Sequence, residues 1–294
     1  MLSISLYRNK ISFIESRKKK HNLLISEFDF LKYDNYDKVV TNSLKDVVSK
    51  RKFKKYDNKV CFIIDSQFCH INEIFCEDEK GLDFRNELSG INELSKYMES
   101  YYYPINTRDD HYIGIHVNKN IKAALISAAS KQNLELSKIN VGVFSADLIA
   151  KNVFDANKLD NYLIIRFITS NFLEVLYIDD GILMLYGTYR ISKSNISPMN
   201  IIGNRENHVD IISLLKGLVE NNAIKNQRFN RVFVYQTSGH SPIIKNIINN
   251  KQEDFMALNL FSKLNSGKGK SSITEIFNQL SYADHGQIFR GLNV

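Results

Sequence analysis

A chain of 294 residues and 34.0 kDa can bury two ordinary cores, so two domains or one large one are expected. Hydrophobic residues at 44% and charged residues at 24% are the proportions of a soluble globular protein, and no apolar run approaches the ~20 residues of a membrane-spanning helix. The net charge of +7 suits an anionic partner, whether nucleic acid or lipid headgroups, but a richness in Lys, Asn and Ile also follows from an AT-rich genome.

The basic excess is densest in "SRKKKH" (16–21) and "SKRKFKKYDNK" (49–59). Each cluster lies beside an expected strand, where lysines mark turns and edges. The start, "MLSISLYRNK", lacks the apolar core of a signal peptide, so a cytoplasmic protein is expected. Cys61, Cys69 and Cys76 form no CxxC pair and their number is odd, which indicates reduced thiols rather than a disulfide framework or a zinc site.

In chain order, "LSISLYRN" and "KISFIES" alternate as a hairpin and "NLLISEFDF" follows as a third strand. Val39, Val40, Leu44, Val47 and Val48 space an amphipathic helix over 36–51. Residues 59–75 return to strand, with a turn at 65–67, and 88–103 read as a helix that Pro104 stops. "DHYIGIHV" (110–117) is a strand, 121–136 a helix with a small face at Ala123, Ala124, Ala128 and Ala129, and "KINVGVFSADLIAKNVF" a short strand and helix.

The chain then begins again. A hairpin is expected at 162–178, a strand at 182–191, a polar stretch to about residue 208, and a helix with an apolar stripe from Ile211 to Val219. Residues 231–250 read as strand, turn and helix, 254–261 as a last strand, and 271–292 as mostly helix.

Both halves therefore run three antiparallel strands and then alternate helix with strand. "LYRNKISFIE" (6–15) falls over "FITSNFLEVL" (167–176), with apolar strand, polar turn and alternating strand in the same places. The expectation is a duplication of a ribonuclease-H-like unit: an actin-like α/β fold with mixed sheets. Domain I spans 1–156 and domain II 157–294, with the closing helix of domain II returning toward domain I.

The chain resembles the actin-like cytoplasmic proteins of type IV pilus assembly, PilM, and their type II secretion counterpart, GspL. The resemblance runs through "KVCFIIDSQFCHINEIF", like their hairpin, and "ELSKYMESYYYPINTRDDHYIGIHV" (93–117), like their helix, aromatic–Pro turn, acidic loop and strand. It continues in "AALISAASKQNLELSKINVGVFSADLIAKNVF" and in the closing "GQIFRGL" (286–292).

Nucleotide-binding members of this fold carry Asp-x-Gly and hydroxyl residues on each hairpin. The glycine lets backbone N–H groups reach the phosphates, and the aspartate holds metal-bound water. Here the first hairpin has Ser5-Leu6-Tyr7 followed by Arg8 and Asn9, and the second Arg166-Phe167-Ile168 followed by Thr169 and Ser170. Both aspartates and both glycines are missing. The adenosine-side turn reads Thr237-Ser238-Gly239-His240, with one glycine kept and the helix starting at Pro242. Arg8, Asn9, Arg166, Thr169, Ser170, Ser238 and Gly239 are thus the remnant of a nucleotide or anion site; Arg166 can still neutralise a phosphate weakly. No cofactor and no catalytic or metal residue is expected.

Other arrangements read as structural. "SGKGKSS" (266–272) has Leu264 where a P-loop needs its first glycine, and "RDDH" (108–111) has no partner constellation. Asp65 and Asp147 are isolated and read as turn or cap residues, and Tyr101, Tyr102 and Tyr103 as packing at a helix end. The resemblance implies a catalytically silent scaffold, peripheral at the inner membrane, homo-oligomer or not, that docks the N-terminal cytoplasmic tail of a bitopic membrane protein. Two alternatives stand beside it: an actin-like ATPase using Thr169, Ser170, Ser238 and Gly239, and a basic nucleic-acid-binding module.

Overall fold

The computed structural model describes residues 2–6, 10–17, 20–27, 36–52, 58–75, 94–105, 110–192, 195–220, 228–237, 242–250, 254–259, 280 and 283–285. The chain divides into two compact units, Met1–Gly142 and Val143–Val294; the boundary expected at residue 156 lies one helix further on.

In the first unit β1 (Leu2–Leu6) pairs antiparallel with β2 (Lys10–Arg17), and β2 with β3 (Lys20–Glu27). Helix α1 (Tyr36–Ser49) carries the chain back, so that β4 (Lys59–Ile64) lies parallel to β1. A parallel crossover of this kind needs a helix-length connection, which α1 supplies. β1 is buried along its whole length and β4 over all but its first residue, as expected of central strands covered on both faces. Val40, Leu44 and Val47 form the buried stripe of α1.

A separate three-stranded sheet follows, made of β5 (Cys69–Phe75), β6 (Met98–Pro104) and β7 (His111–Asn118) in the order β5-β7-β6. Two expectations are corrected here. The strands of 59–75 do not form one hairpin. Asp65 caps a short 3-10 turn (Ser66–Phe68) by accepting from the Gln67 N–H, and the chain leaves one sheet for another. The expected helix over 88–103 appears among the described residues as one turn, Leu94–Tyr97, followed by β6. The aromatic run favours strand, Tyr101 lies opposite Ile115 and Tyr103 opposite Ile113, and Pro104 ends an edge strand rather than a helix.

β7 runs directly into α2 (Lys119–Lys131), capped by the Asn118 side chain, and α2 packs on α1. Ala124, Leu125, Ala128 and Ala129 form its buried face, while Ala123 is exposed. β8 (Glu135–Val141) then joins parallel to β4, completing the order β3-β2-β1-β4-β8.

The second unit opens with α3 (Gly142–Val153) and repeats this order. β9 (Asn161–Phe167), β10 (Phe172–Asp179) and β11 (Ile182–Ser192) form an antiparallel meander. Asp180 and Gly181, at φ 47° and 78°, make the tight turn between β10 and β11 that a right-handed sheet twist favours. The stretch expected to be merely polar contains a further strand, β12 (Asn195–Gly203), paired with β11 and burying Ile196 and Ile202. α4 (His208–Glu220) buries Ile211, Leu214, Leu215 and Leu218. β13 (Arg231–Gln236) lies parallel to β9, and after α5 (Pro242–Asn250) β14 (Phe255–Ala257) lies parallel to β13. The full order is β12-β11-β10-β9-β13-β14. Without β12 it is the order of the first sheet. The duplication read from the sequence is present as topology.

Candidate functional site at the second-unit hairpin

The β9–β10 hairpin places Arg166 opposite Glu174, and β13 places Tyr235 opposite Arg166. Strand alternation puts these side chains on one sheet face, with Tyr186 one step along β11. Helix α3 packs on the same face: Phe144 stacks on Tyr186 at 5.6 Å, and the Tyr162 hydroxyl donates to Asp147 at 2.7 Å. Asp147 also pairs with Lys151, so it is an ion-paired helix residue rather than the cap the sequence suggested.

Arg166 is fully buried. Its Nη1 donates to Glu174 Oε2 at 2.6 Å and its Nη2 to Asp284 Oδ2 at 3.2 Å. The Tyr186 hydroxyl donates to the second oxygen of Glu174 at 2.9 Å, and the Tyr235 hydroxyl to that of Asp284 at 2.7 Å. Burial first, and the Asp284 carboxylate second, push the Tyr235 phenol well above its ordinary value, so it stays a donor. The result is a buried, charge-assisted network at the position where the resemblance would place a metal-anchoring aspartate. The charge there is inverted. The cation offered in the sequence reading to a phosphate faces two carboxylates of its own chain.

The hairpin tip is equally self-contained. The N–H groups of Ile168 and Thr169 both donate to the Phe172 carbonyl, at 3.0 and 3.2 Å. The Asn171 N–H donates to the Thr169 hydroxyl at 3.2 Å, and the Ser170 hydroxyl to Asn171 Oδ1 at 3.1 Å. Three backbone donors and one hydroxyl that a phosphate cradle would aim outward are thus spent within the turn. Beside the tip, the Thr237 N–H donates to the Phe167 carbonyl.

The first sheet has Ser5 opposite Ser12, both buried, at the place where the second has Arg166 opposite Glu174. Arg8, Asn9, Ser238 and Gly239 lie outside the described residues, as do the "SGKGKSS" stretch, Cys76 and most of 271–292. Of "RDDH", His111 is buried and paired with Glu73 at 2.8 Å. Cys61 is a free thiol, and burial pushes it up to about 12, which makes it inert. Among the described residues no group of His, Cys, Asp and Glu is placed to hold a metal, and no helix is long and apolar enough to cross a membrane.

Sequence reasoning missed Glu174, Asp284, Tyr186 and Tyr235. A carboxylate placed eight residues after Arg166, across a turn of the hairpin, was the available signal for Glu174. Nothing in the sequence points to Asp284, which is 118 residues away.

Among solved structures, a chain of the PilM–PilN type IV pilus biogenesis complex is similar over 99% of this chain and 98% of its own, with a TM-score of 0.58 and 9% identity. The fold is actin-like. An actin-like protein of unknown function from Bacteroides thetaiotaomicron is similar at TM-score 0.48 and 14% identity, over 87% of this chain and 89% of that one. The cytoplasmic domain of EpsL, an inner membrane component of the Vibrio cholerae type II secretion system, is similar at TM-score 0.42 and 7% identity, over 89% and 98%. The PilM-like resemblance read from the sequence is met at the level of the actin-like fold. No family model matches the chain, and no curated protein matches it by sequence.

Proposed function

We propose that the chain is a catalytically silent actin-like scaffold of a type IV pilus or type II secretion-like platform. In this reading it docks the cytoplasmic tail of a bitopic inner-membrane protein, and sits in the cytoplasm against that membrane through the partner alone. The observation that carries the silence is the charge inversion at Arg166. A divalent cation approaching this hairpin meets a guanidinium where a carboxylate is needed, and the amides of Ile168, Thr169 and Asn171 already have acceptors. The likeness to a chain of the PilM–PilN complex supports the platform, since that protein is solved with a partner. Fold alone does not give function, so the partner is part of the proposal.

In this reading the tail docks on the three-stranded sheet of the first unit, a choice supported by exposed aromatic side chains. Phe75 and Tyr103 lie on one face of that sheet, 49% and 39% exposed, and Tyr97 beside β6 is 64% exposed. Exposed aromatics of this kind anchor peptide segments. Replacing Phe75 and Tyr103 together by Ala weakens binding of the tail peptide by roughly tenfold or more, with little change in melting temperature. The silence is tested by thermal shift with ATP and magnesium. A binder at a hundred times its dissociation constant gains ~2.7 kcal/mol, which gives a clear rise. No rise is expected; a rise would favour the ATPase alternative through Thr169 and Ser170, which are exposed at the tip.

A further inference from the structure

Residues 283–285 form a short 3-10 turn whose three side chains are all buried, as is Leu280 just before it. Asp284 reaches two strands at once. One oxygen takes Arg166 of β9 and the other takes Tyr235 of β13, which are direct neighbours in the sheet. A buried carboxylate separated from its cation is strongly unfavourable, so this turn and the sheet face hold each other in place. In nucleotide-binding members of this fold a bound metal and phosphate would supply the charge around which such a hairpin is organised. Here the opposing charges all belong to the chain.

We infer that Asp284 latches the 283–285 turn onto Arg166 and Tyr235, so that the β9–β10 hairpin is held in its organised form permanently and without a ligand. The latch rests on the reading of the hairpin as silent and adds a cause: the charge that a nucleotide complex would bring is built in. Glu174 and Tyr186 fix the guanidinium from the other side, so the turn docks onto a cation that cannot swing away. Thr237, bonded to Phe167 at the end of the hairpin, belongs to the same held assembly.

Hydrogen exchange on the whole chain tests this at the amides of Ile168, Thr169 and Thr237 and of residues 283–285. Asp284→Asn is expected to speed exchange at these amides roughly tenfold or more while leaving β1 and β4 unchanged. Tyr235→Phe, which keeps the ring packing, gives a smaller acceleration at the same amides and decides the matter if Asp284→Asn does not fold. Acceleration spread evenly over both units, or none from either substitution, overturns the latch. Slowing of the same amides by ATP and magnesium in the unsubstituted protein also overturns it, because a ligand would then complete the hairpin. A rise in melting temperature with ATP and no change at these amides defeats only the silent reading.

Discussion

Arg166 is fully buried between two carboxylates, and that sets what its loss does. Replacing it by Met keeps the volume of the stem but leaves Glu174 and Asp284 buried without their cation. The expected cost is about 3–5 kcal/mol, read from urea or guanidinium unfolding. Loss of Lys122, whose ammonium meets Glu99 at 2.5 Å with both side chains partly exposed, is expected to cost less than ~1 kcal/mol. If the two substitutions proved equal, the burial argument would be wrong.

Histidines add a pH dependence. Burial lowers His285 to about 3, and burial with a contribution from His70 lowers His116 to about 4, both from 6.5. His208 is lowered too, by burial and then by Arg205. The folded chain keeps these rings neutral while the unfolded chain protonates them near 6.5. Their contribution is thus complete above that value and is lost progressively as pH falls toward 4. Melting temperature should decline between about pH 6.5 and pH 5, before ordinary carboxylates titrate. A flat profile over that interval would contradict the buried neutral state.

At the scale of elements, the three-stranded sheet is sewn by one neutral ring. Ser100 of β6 donates to His116 Nδ1, and His116 Nε2 donates to Asn72 of β5, each at 2.7 Å, so all three strands are joined. Gly114 sits opposite Asn72, and a Cβ there would lie 2.5 Å from the end of Ile74, 2.7 Å from Asn72 Oδ1 and 2.9 Å from His116 Nε2. Gly114→Ala is therefore expected to destabilise by about 1–3 kcal/mol and to raise amide exchange in β5 and β7. This sheet was only half legible. β7 alternates clearly, but Tyr101, Tyr102 and Tyr103 suit a helix end or a strand equally until β7 is there to pair with. The polar stretch 195–203 was missed for the same reason: as an edge strand with a register irregularity at β11, it needs little apolar content.

For the molecule as a whole, the repeated strand order is the main fact. The strand order is kept in both units while Ser5 in one and Arg166 in the other stand where the resemblance would place an aspartate, which is what the proposed scaffold requires. The basic excess has a partly internal destination as well. Arg51, from the cluster "SKRKFKKYDNK", is buried on Glu15 at 2.8 Å, and Glu15 also takes the Lys52 N–H. No retention on single- or double-stranded nucleic acid at low salt is expected; steeply salt-dependent retention would revive that alternative.

The sequence by itself determined the opening antiparallel strands of both units and the helices over 36–49, 119–131 and 208–220, because central strands and amphipathic helices carry periodic apolar patterns that local spacing reveals. It also shows that neither hairpin carries Asp-x-Gly. Only the tertiary structure decided what surrounds the residues that stand there. Whether Arg166 is a free cation or half of a buried pair depends on Glu174 across the hairpin and on Asp284 far along the chain. Such meetings are set by sheet register and by the return of a distant turn, and neither leaves a periodic trace among neighbouring residues.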